Sequence, residues 1–175
     1  GTDKSIDIME VAQASYSPNK IPADVEIGLD EMYSYLPDTE TFPNGTHVCE
    51  LEVDPDTGAI DILKYSVVDD VGVVVNPLLL KGQIHGGVGQ GLGQALLENI
   101  HYDEDGQILT GSFMDYCMPR ADDICAIEVG SNPQPCKTNP TGIKGAGEAG
   151  TVGALPCVAN AVVNALSPLG TRHIE

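Results

Sequence analysis

Six glycines fall within one segment of helical length, and they limit what this chain can fold into. The segment "LLLKGQIHGGVGQGLGQALLENI" covers residues 78–100 and contains Gly82, Gly86, Gly87, Gly89, Gly91 and Gly93. Inside a helix, each glycine costs roughly 0.5 to 1 kcal/mol relative to alanine. A helix here therefore needs a compensating interaction, such as the close approach of another backbone or of a flat ligand, which glycine permits.

The helical period places four of these glycines on one face and three glutamines beside them. The glycines of that face are Gly82, Gly86, Gly89 and Gly93, and the glutamines are Gln83, Gln90 and Gln94. Primary amides offer both hydrogen-bond donors and acceptors, so the two rows together could form a docking face for a ligand. Close packing on another helix or sheet, with the glutamines at the edge, fits the same pattern. Periodicity alone leaves both interpretations open.

The regions around this segment carry the signals of β-strands. In "THVCELEVD" apolar and polar residues alternate, "PDTG" supplies a turn, and "AIDILKYSVVDDVGVVV" resumes a β-rich run, so we expect a hairpin with strands near 46–54 and 59–71. A second strand pair is predicted around 100–111, with its turn at 104–106, and a further strand at 125–130.

The last third of the chain predicts a helix of small apolar residues. "GTVGALPCVANAVVNALSPLG" places Pro156 where it would suit the first turn, and "SPLG" ends the helix. Strands and helices do not alternate strictly, which favours an α+β fold with mixed or antiparallel strands, a glycine-rich helix and a C-terminal small-residue helix. We expect a single domain over 1–175, with 1–45 as an irregular or extended lead-in and 46–175 as its core.

The charge balance excludes several classes of partner. Eight Lys+Arg against 26 Asp+Glu give a net charge of −18, whereas nucleic acids and anionic membranes require clustered positive charge. No apolar run has the length of a membrane span, and "GTDKSIDIMEVAQ" lacks the layout of a signal peptide. We therefore expect a cytoplasmic protein without a membrane span.

Cysteine and histidine spacing predicts neither a disulfide framework nor a metal site. No C-x-x-C pair occurs, and the histidines lack metal-ligand spacing. The residues concerned are Cys49, Cys117, Cys125, Cys136, Cys157, His47, His85, His101 and His173.

One glutamate, Glu148, stands inside the glycine-rich stretch "TNPTGIKGAGEAGTVGA". "GAGEAG" matches the G-x-G-x-x-G fingerprint, but no apolar strand precedes it and no acid follows about 20 residues later, so a dinucleotide site is rejected. What remains is a loop whose N–H groups could approach an anion, with Lys144 close by. Glu148 could be an ordinary glutamate placed against the helix dipole, or a general base enclosed by glycines and apolar residues.

Three segments in the same order carry a family resemblance. "DDVGVVVNPLLLKGQIHGGVGQGLGQALLE", "TGSFMDYCMPRADD" and "NPTGIKGAGEAGTVGA" resemble the C-terminal part of the large subunit of molybdenum hydroxylases. This is the xanthine dehydrogenase and aldehyde oxidase family, and within it the three segments most resemble carbon monoxide dehydrogenase-type large chains. The resemblance covers 46–167 strongly and the first 45 residues loosely, and it implies the fold of a molybdenum cofactor-binding domain.

The resemblance also implies roles for particular residues. Such subunits bind molybdopterin, as the cytosine dinucleotide in most bacterial members, and hydroxylate a carbon centre with oxygen taken from water. Glu148 matches the catalytic glutamate that acts as the base. The implied cofactor-binding residues are Gln90 and Gly91 in "GQGLG", Gln83, and the loop residues Lys144, Gly145 and Gly147.

Family large subunits are several times longer than this chain. The resemblance therefore implies a C-terminal fragment, inactive and free of molybdenum by itself, and able to self-associate through surfaces that its partners would cover. The implied partners are the rest of the large subunit, an FAD-binding medium subunit, a 2Fe–2S small subunit and a small-molecule substrate, which is CO, an aldehyde or an N-heterocycle. The alternative is a non-catalytic binding or scaffold module that reuses the fold.

Overall fold

A computed structural model describes residues 3–174. The chain divides into two compact units, Gly1–Leu36 and Pro37–Glu175. The first contains the helix α1 (Ile8–Ser15), whose N-cap residue Asp7 accepts a hydrogen bond from the Met9 N–H; most of this unit is otherwise irregular. The single-domain interpretation of 1–175, with its division at residue 45, stays a prediction.

The second unit is built on a three-stranded mixed sheet in the order β1–β2–β3. Strand β1 (Asn44–Val53) pairs antiparallel with β2 (Ile60–Asp70), and β2 pairs parallel with β3 (Ile127–Ser131). The hairpin turn is held by the Asp54 carboxylate, which accepts hydrogen bonds from the N–H groups of Asp56 and Thr57. The predicted hairpin, the third strand and the α+β class are confirmed.

Two long helices cover this sheet. Helix α2 (Pro77–Leu96) begins at the Asn76 cap, whose side chain accepts from the Leu79 N–H, and helix α3 (Ala149–Ala165) is followed by a 3-10 turn at Ser167–Leu169. Both predicted helices are confirmed. Their apolar faces are buried against each other and against the sheet. The buried core consists of Tyr65, Val67, Ile84, Val88, Leu92, Ala154, Val158 and Val162.

Two local predictions were wrong. The expected strand pair around 100–111 is only an isolated bridge between Tyr102 and Ile108, because both residues lie at the surface with no apolar layer to bury. Pro156 lies inside α3 and not in its first turn, since the helix begins earlier than expected, at Ala149. Lacking an N–H, Pro156 leaves the Val152 carbonyl without its usual helical partner.

The helices approach most closely at two glycines of α2 outside the predicted stripe. A Cβ atom on Gly87 would lie 2.8 Å from the Thr151 nitrogen, and one on Gly91 would lie 2.6 Å from the Ala154 Cβ. Gly82 and Gly86, by contrast, have no atom within 4 Å of an added Cβ. Packing on a helix is thus confirmed for part of the glycine segment, while its N-terminal end is open.

This difference predicts opposite effects of the same substitution at two positions. Gly91→Ala is expected to lower the free energy of unfolding of the 175-residue chain by about 1–3 kcal/mol, because the new methyl overlaps Ala154. Gly86→Ala, the matched control, is expected to raise it by roughly 0.5 to 1 kcal/mol, because the site is open and helical. Urea unfolding followed by circular dichroism measures both, and equal effects would contradict the close helix contact.

Candidate functional site

The loop that precedes α3 is fastened to the chain just beyond the end of β2. Gly72 and Ile143 form an antiparallel bridge, the Lys144 N–H donates to the Val71 carbonyl at 3.0 Å, and the Val73 N–H donates to the Gly142 carbonyl at 3.0 Å. Gly72 has φ +67°, and a Cβ there would overlap the Gly142 carbonyl oxygen, so only glycine fits. The loop backbone is therefore held to the sheet before it reaches Glu148.

A buried ion pair reinforces this attachment. The Lys144 ammonium lies 2.5 Å from the Asp70 carboxylate, and the two side chains are only 13% and 8% exposed. Asp70 also accepts hydrogen bonds from the N–H groups of Gly72 and Gln134, each at 2.9 Å. The Lys144 ammonium and these two donors hold the pKa of Asp70 well below its ordinary value. Lys144 thus makes its closest charge contact inside the fold.

Glu148 occupies the N-cap position of α3, but among the described residues its side chain has no capping hydrogen bond. The residue is exposed, so the described residues do not supply the enclosure expected for a buried base. Its loop borders a cavity of about 460 Å³, together with the start of β1 and the first turns of α3. The structure therefore places Glu148 at the edge of a concave surface and not within the core.

The two predicted glutamines reach the same region from α2. The Gln83 side-chain amide donates to the Gly147 carbonyl at 2.6 Å, and the Gln90 side-chain oxygen accepts from the Thr151 hydroxyl at 3.3 Å. Both glutamines are exposed, so neither is closed off by the fold. Gly91, in contrast, is buried against Ala154, which gives it a packing role in the helix pair.

The remaining loop residues also have defined places. The Gly145 N–H donates to the Thr41 hydroxyl at 3.1 Å, and Gly145 and Gly147 both line the cavity beside Glu148. Among residues 3–174, no atom accepts a hydrogen bond from the N–H groups of Gly147 and Glu148. These donors precede the first turn of a helix, where unpaired N–H groups and the helix dipole favour an anion.

Sequence reasoning missed a polar cluster on the far wall of the same cavity. His47 and Asp69 line it, with the His47 Nε2 3.8 Å from the Asp69 Oδ1 and the His47 Nδ1 2.7 Å from the Tyr65 hydroxyl. Burial lowers the pKa of His47 and raises the pKa of Asp69, and in each case it outweighs the attraction between the two groups. Within the part of the chain that the structure describes, the Asp69 Oδ2 has no hydrogen-bond partner.

The sequence does contain a signal for this cluster. His47 has the same strand parity as Cys49 and Leu51, so the alternation that predicts β1 also turns a histidine inward. Two glycines make room for the cluster, because a Cβ on Gly45 would overlap Asp69 and one on Gly153 would overlap the His47 ring.

Among residues 3–174, no three His, Cys, Asp or Glu side chains converge in an arrangement that could hold a metal ion. Nor does that part of the chain contain a helix with the length and apolar character needed to cross a membrane.

This α+β domain brings the Gln83 amide to the loop that carries Glu148, an arrangement that could hold a cofactor with hydrogen-bonding groups. Comparison with known families makes the assignment specific. Residues 1–125 match the molybdopterin cofactor-binding domain, and the chain belongs to that family. The match includes Gln83 and Gln90.

Individual relatives extend the similarity over nearly the whole chain. The carbon monoxide dehydrogenase large chain of Afipia carboxidovorans is 37% identical over 95% of this chain. The nicotine 6-hydroxylase large subunit of Paenarthrobacter nicotinovorans is 39% identical over 99%. The structure of reconstituted CO dehydrogenase from Oligotropha carboxidovorans matches 95% of this chain with a TM-score of 0.86 and 38% identity, and the match covers 20% of that structure's chain. The chain spans about a fifth of the length of these relatives, 20% and 21% of the two subunits.

The buried ion pair predicts a pH-dependent stability. Because the folded-state pKa of Asp70 lies below the ordinary value of 3.8, its stabilisation is complete above that pH and is lost as the pH falls through the folded pKa. Asp70→Asn is therefore expected to destabilise the 175-residue chain at neutral pH, and the deficit should shrink below pH 3.8. Urea unfolding at neutral pH and at a pH below 3.8 tests this prediction.

The exposed Asp61 offers the matched control. It lies on the same strand as Asp70, and among residues 3–174 no ammonium or N–H group donates to its carboxylate. Asp61→Asn is expected to leave stability nearly unchanged at both pH values. A deficit for Asp70→Asn that is equal in acid and at neutral pH would show that the ion pair is not its source.

Proposed function

We propose that this chain forms the cofactor-facing part of the large subunit of a molybdenum hydroxylase, which oxidises a carbon centre with oxygen derived from water. The observation that carries the proposal is the convergence of Gln83, from one helix, with the loop that holds Glu148, at the start of the other. Membership of the molybdopterin cofactor-binding family supplies the cofactor class. By itself, the chain is proposed to be inactive.

The open surface suits a flat cofactor rich in hydrogen-bonding groups and carrying phosphate. Gly82 and Gly86 present no side chain on their part of α2, and among residues 3–174 no atom lies within 4 Å of a Cβ added at either position. Gln83 and Gln90 offer amide groups, and the N–H groups of Gly147 and Glu148 offer donors of the kind that bind anions. Gly145 and Gly147 let the loop backbone approach closely. Lys144 belongs to the same loop, directly before Gly145, and is included in the proposed cofactor site as a loop residue.

The bound cofactor would supply the redox chemistry, and the chain would supply position and proton control. Glu148 is the proposed general base, accepting a proton on its carboxylate oxygen during the reaction and releasing it before the next one. Its exposure within residues 3–174 means that other parts of the large subunit must enclose the cavity to exclude water.

The relatives suggest the remaining features. The names of these relatives refer to carbon monoxide, nicotine and, for a plant relative, indole-3-acetaldehyde, so CO, an aldehyde or an N-heterocycle is proposed here. We further propose the cytosine dinucleotide form of the cofactor and a cytoplasmic assembly with an FAD-binding medium subunit and a 2Fe–2S small subunit.

A non-catalytic module that reuses this fold is the second candidate. The exposure of Glu148 favours it, because the described residues do not enclose this carboxyl as a general base requires. Neighbouring genes separate the two candidates: genes for an FAD subunit and an iron–sulfur subunit support the enzyme, and their absence supports the module.

The catalytic role predicts the effect of an isosteric substitution. Glu148→Gln in the assembled enzyme is expected to retain its molybdenum and to lose turnover by about 10²-fold or more, because the amide cannot accept the proton. Turnover is measured with an electron-accepting dye and CO, nicotine and benzaldehyde in turn, and molybdenum by mass spectrometry. The exposed Glu104→Gln is the control and is expected to match the parent enzyme. Normal turnover by Glu148→Gln would refute the role.

The fragment itself yields a separate prediction. The purified 175-residue chain is expected to carry no stoichiometric molybdenum, because the described residues contain no group of three His, Cys, Asp or Glu side chains that could hold a metal ion. Elemental analysis of the purified chain checks this, and one molybdenum per chain would overturn it.

A further inference from the structure

We propose that Asp70 and Lys144 are positioning residues for Glu148. Their ion pair fixes the loop to the end of β2, and Lys144 acts through this pair and not by binding the cofactor's phosphate. The inference rests on the proposed function, because it assigns Glu148 as the base whose position matters.

The anchor itself is well defined. Asp70 is the last residue of β2, the central strand of the sheet, and the residue as a whole, backbone included, is only 7% exposed. One of its carboxylate oxygens accepts from the Gly72 and Gln134 N–H groups, and the other accepts from Lys144 and, at 3.3 Å, from the Asn44 side-chain amide. With four donors around it, this carboxylate has little freedom to rotate or move.

Lys144 transmits that fixed position to Glu148 over a short distance in the chain. Only three residues, 145–147, separate the two, and two of them are glycines with large conformational freedom. Three hydrogen bonds hold the loop. The Lys144 N–H donates to the Val71 carbonyl, the Gly145 N–H to the Thr41 hydroxyl, and the Gln83 amide to the Gly147 carbonyl. Lys144 is the only charged member of this set.

The charge balance argues against a direct role for Lys144 on an anionic cofactor. The ammonium and the Asp70 carboxylate neutralise each other at 2.5 Å, and both are largely buried. Pulling Lys144 onto a phosphate would leave the Asp70 charge buried without its main partner, which is strongly unfavourable. The anion-binding donors of this loop are instead the N–H groups of Gly147 and Glu148, beyond the ion pair.

The test uses the assembled enzyme with its full-length large chain. Lys144→Met, Asp70→Asn and the double variant are compared with the parent and with Lys137→Met, a control in which an exposed lysine of the preceding segment is replaced. Three quantities are measured: hydrogen–deuterium exchange of the peptide 139–148, molybdenum and cytosine nucleotide content, and kcat and KM with the substrate that the parent turns over. Exchange and cofactor content require no substrate.

A positioning role predicts a specific pattern. Each single variant should speed exchange of 139–148 by about tenfold or more, and the double variant should do no more than the stronger single one, because the same pair is lost. Cofactor content should stay at the parent value, while kcat falls by about 10²-fold with KM nearly unchanged. Lys144→Arg, which can keep the pair, should restore most of kcat.

A role on the cofactor predicts the opposite pattern. Lys144→Met would then lose molybdenum and nucleotide, with exchange of 139–148 unchanged in Asp70→Asn, and this result would overturn the proposal. If Lys144→Met does not assemble, Asp70→Asn, which keeps the size of the side chain, carries the test by the same criteria. Failure of the proposed function is seen separately, as normal turnover in Glu148→Gln with the exchange pattern intact.

Discussion

The contact between helices α2 and α3 determines where Glu148 lies relative to Gln83 and Gln90. Gly87 and Gly91 allow α3 to approach so closely that any side chain larger than hydrogen would collide with Gly150, Thr151 or Ala154. This approach brings the first turn of α3, and therefore Glu148 at its N-cap, beside the glutamines of α2. The cost of glycines in a helix is thus offset by packing at one end, while at the other end the described residues leave the glycines uncovered.

The end of strand β2 supplies the second constraint, and it is electrostatic. Consecutive carboxylates point to opposite faces of a strand, so Asp69 meets His47 under α3 while Asp70 meets Lys144 in the loop. The first contact joins β1 to β2, and the second fastens the segment that carries Glu148 to the end of β2. The site thus combines a rigid support with an exposed residue, Glu148, which under the proposed function is enclosed by other parts of a large subunit. Such an arrangement suits a domain that completes its active site on assembly.

Much of the fold follows from local pattern, whereas the site depends on long-range contacts. The hairpin, the third strand and both long helices could be predicted because alternation and helical period are short-range signals. The predicted glycine stripe does not make the contact with α3, which Gly87 and Gly91 form. The helical period shows which residues share a face but not which face meets α3. His47 and Asp69 were overlooked because their pairing across β1 and β2 depends on strand register. The Lys144 and Asp70 pair joins residues 74 positions apart, which no local pattern reveals.

The account depends most directly on the position of the Glu148 carboxyl in the complete enzyme. An experimental structure of the assembled enzyme with its cofactor bound measures this position. We expect the Glu148 carboxyl to face the cofactor within hydrogen-bonding reach of its reactive centre, with the Lys144 and Asp70 pair unchanged. A Glu148 side chain directed into bulk solvent, away from the cofactor, would contradict the account.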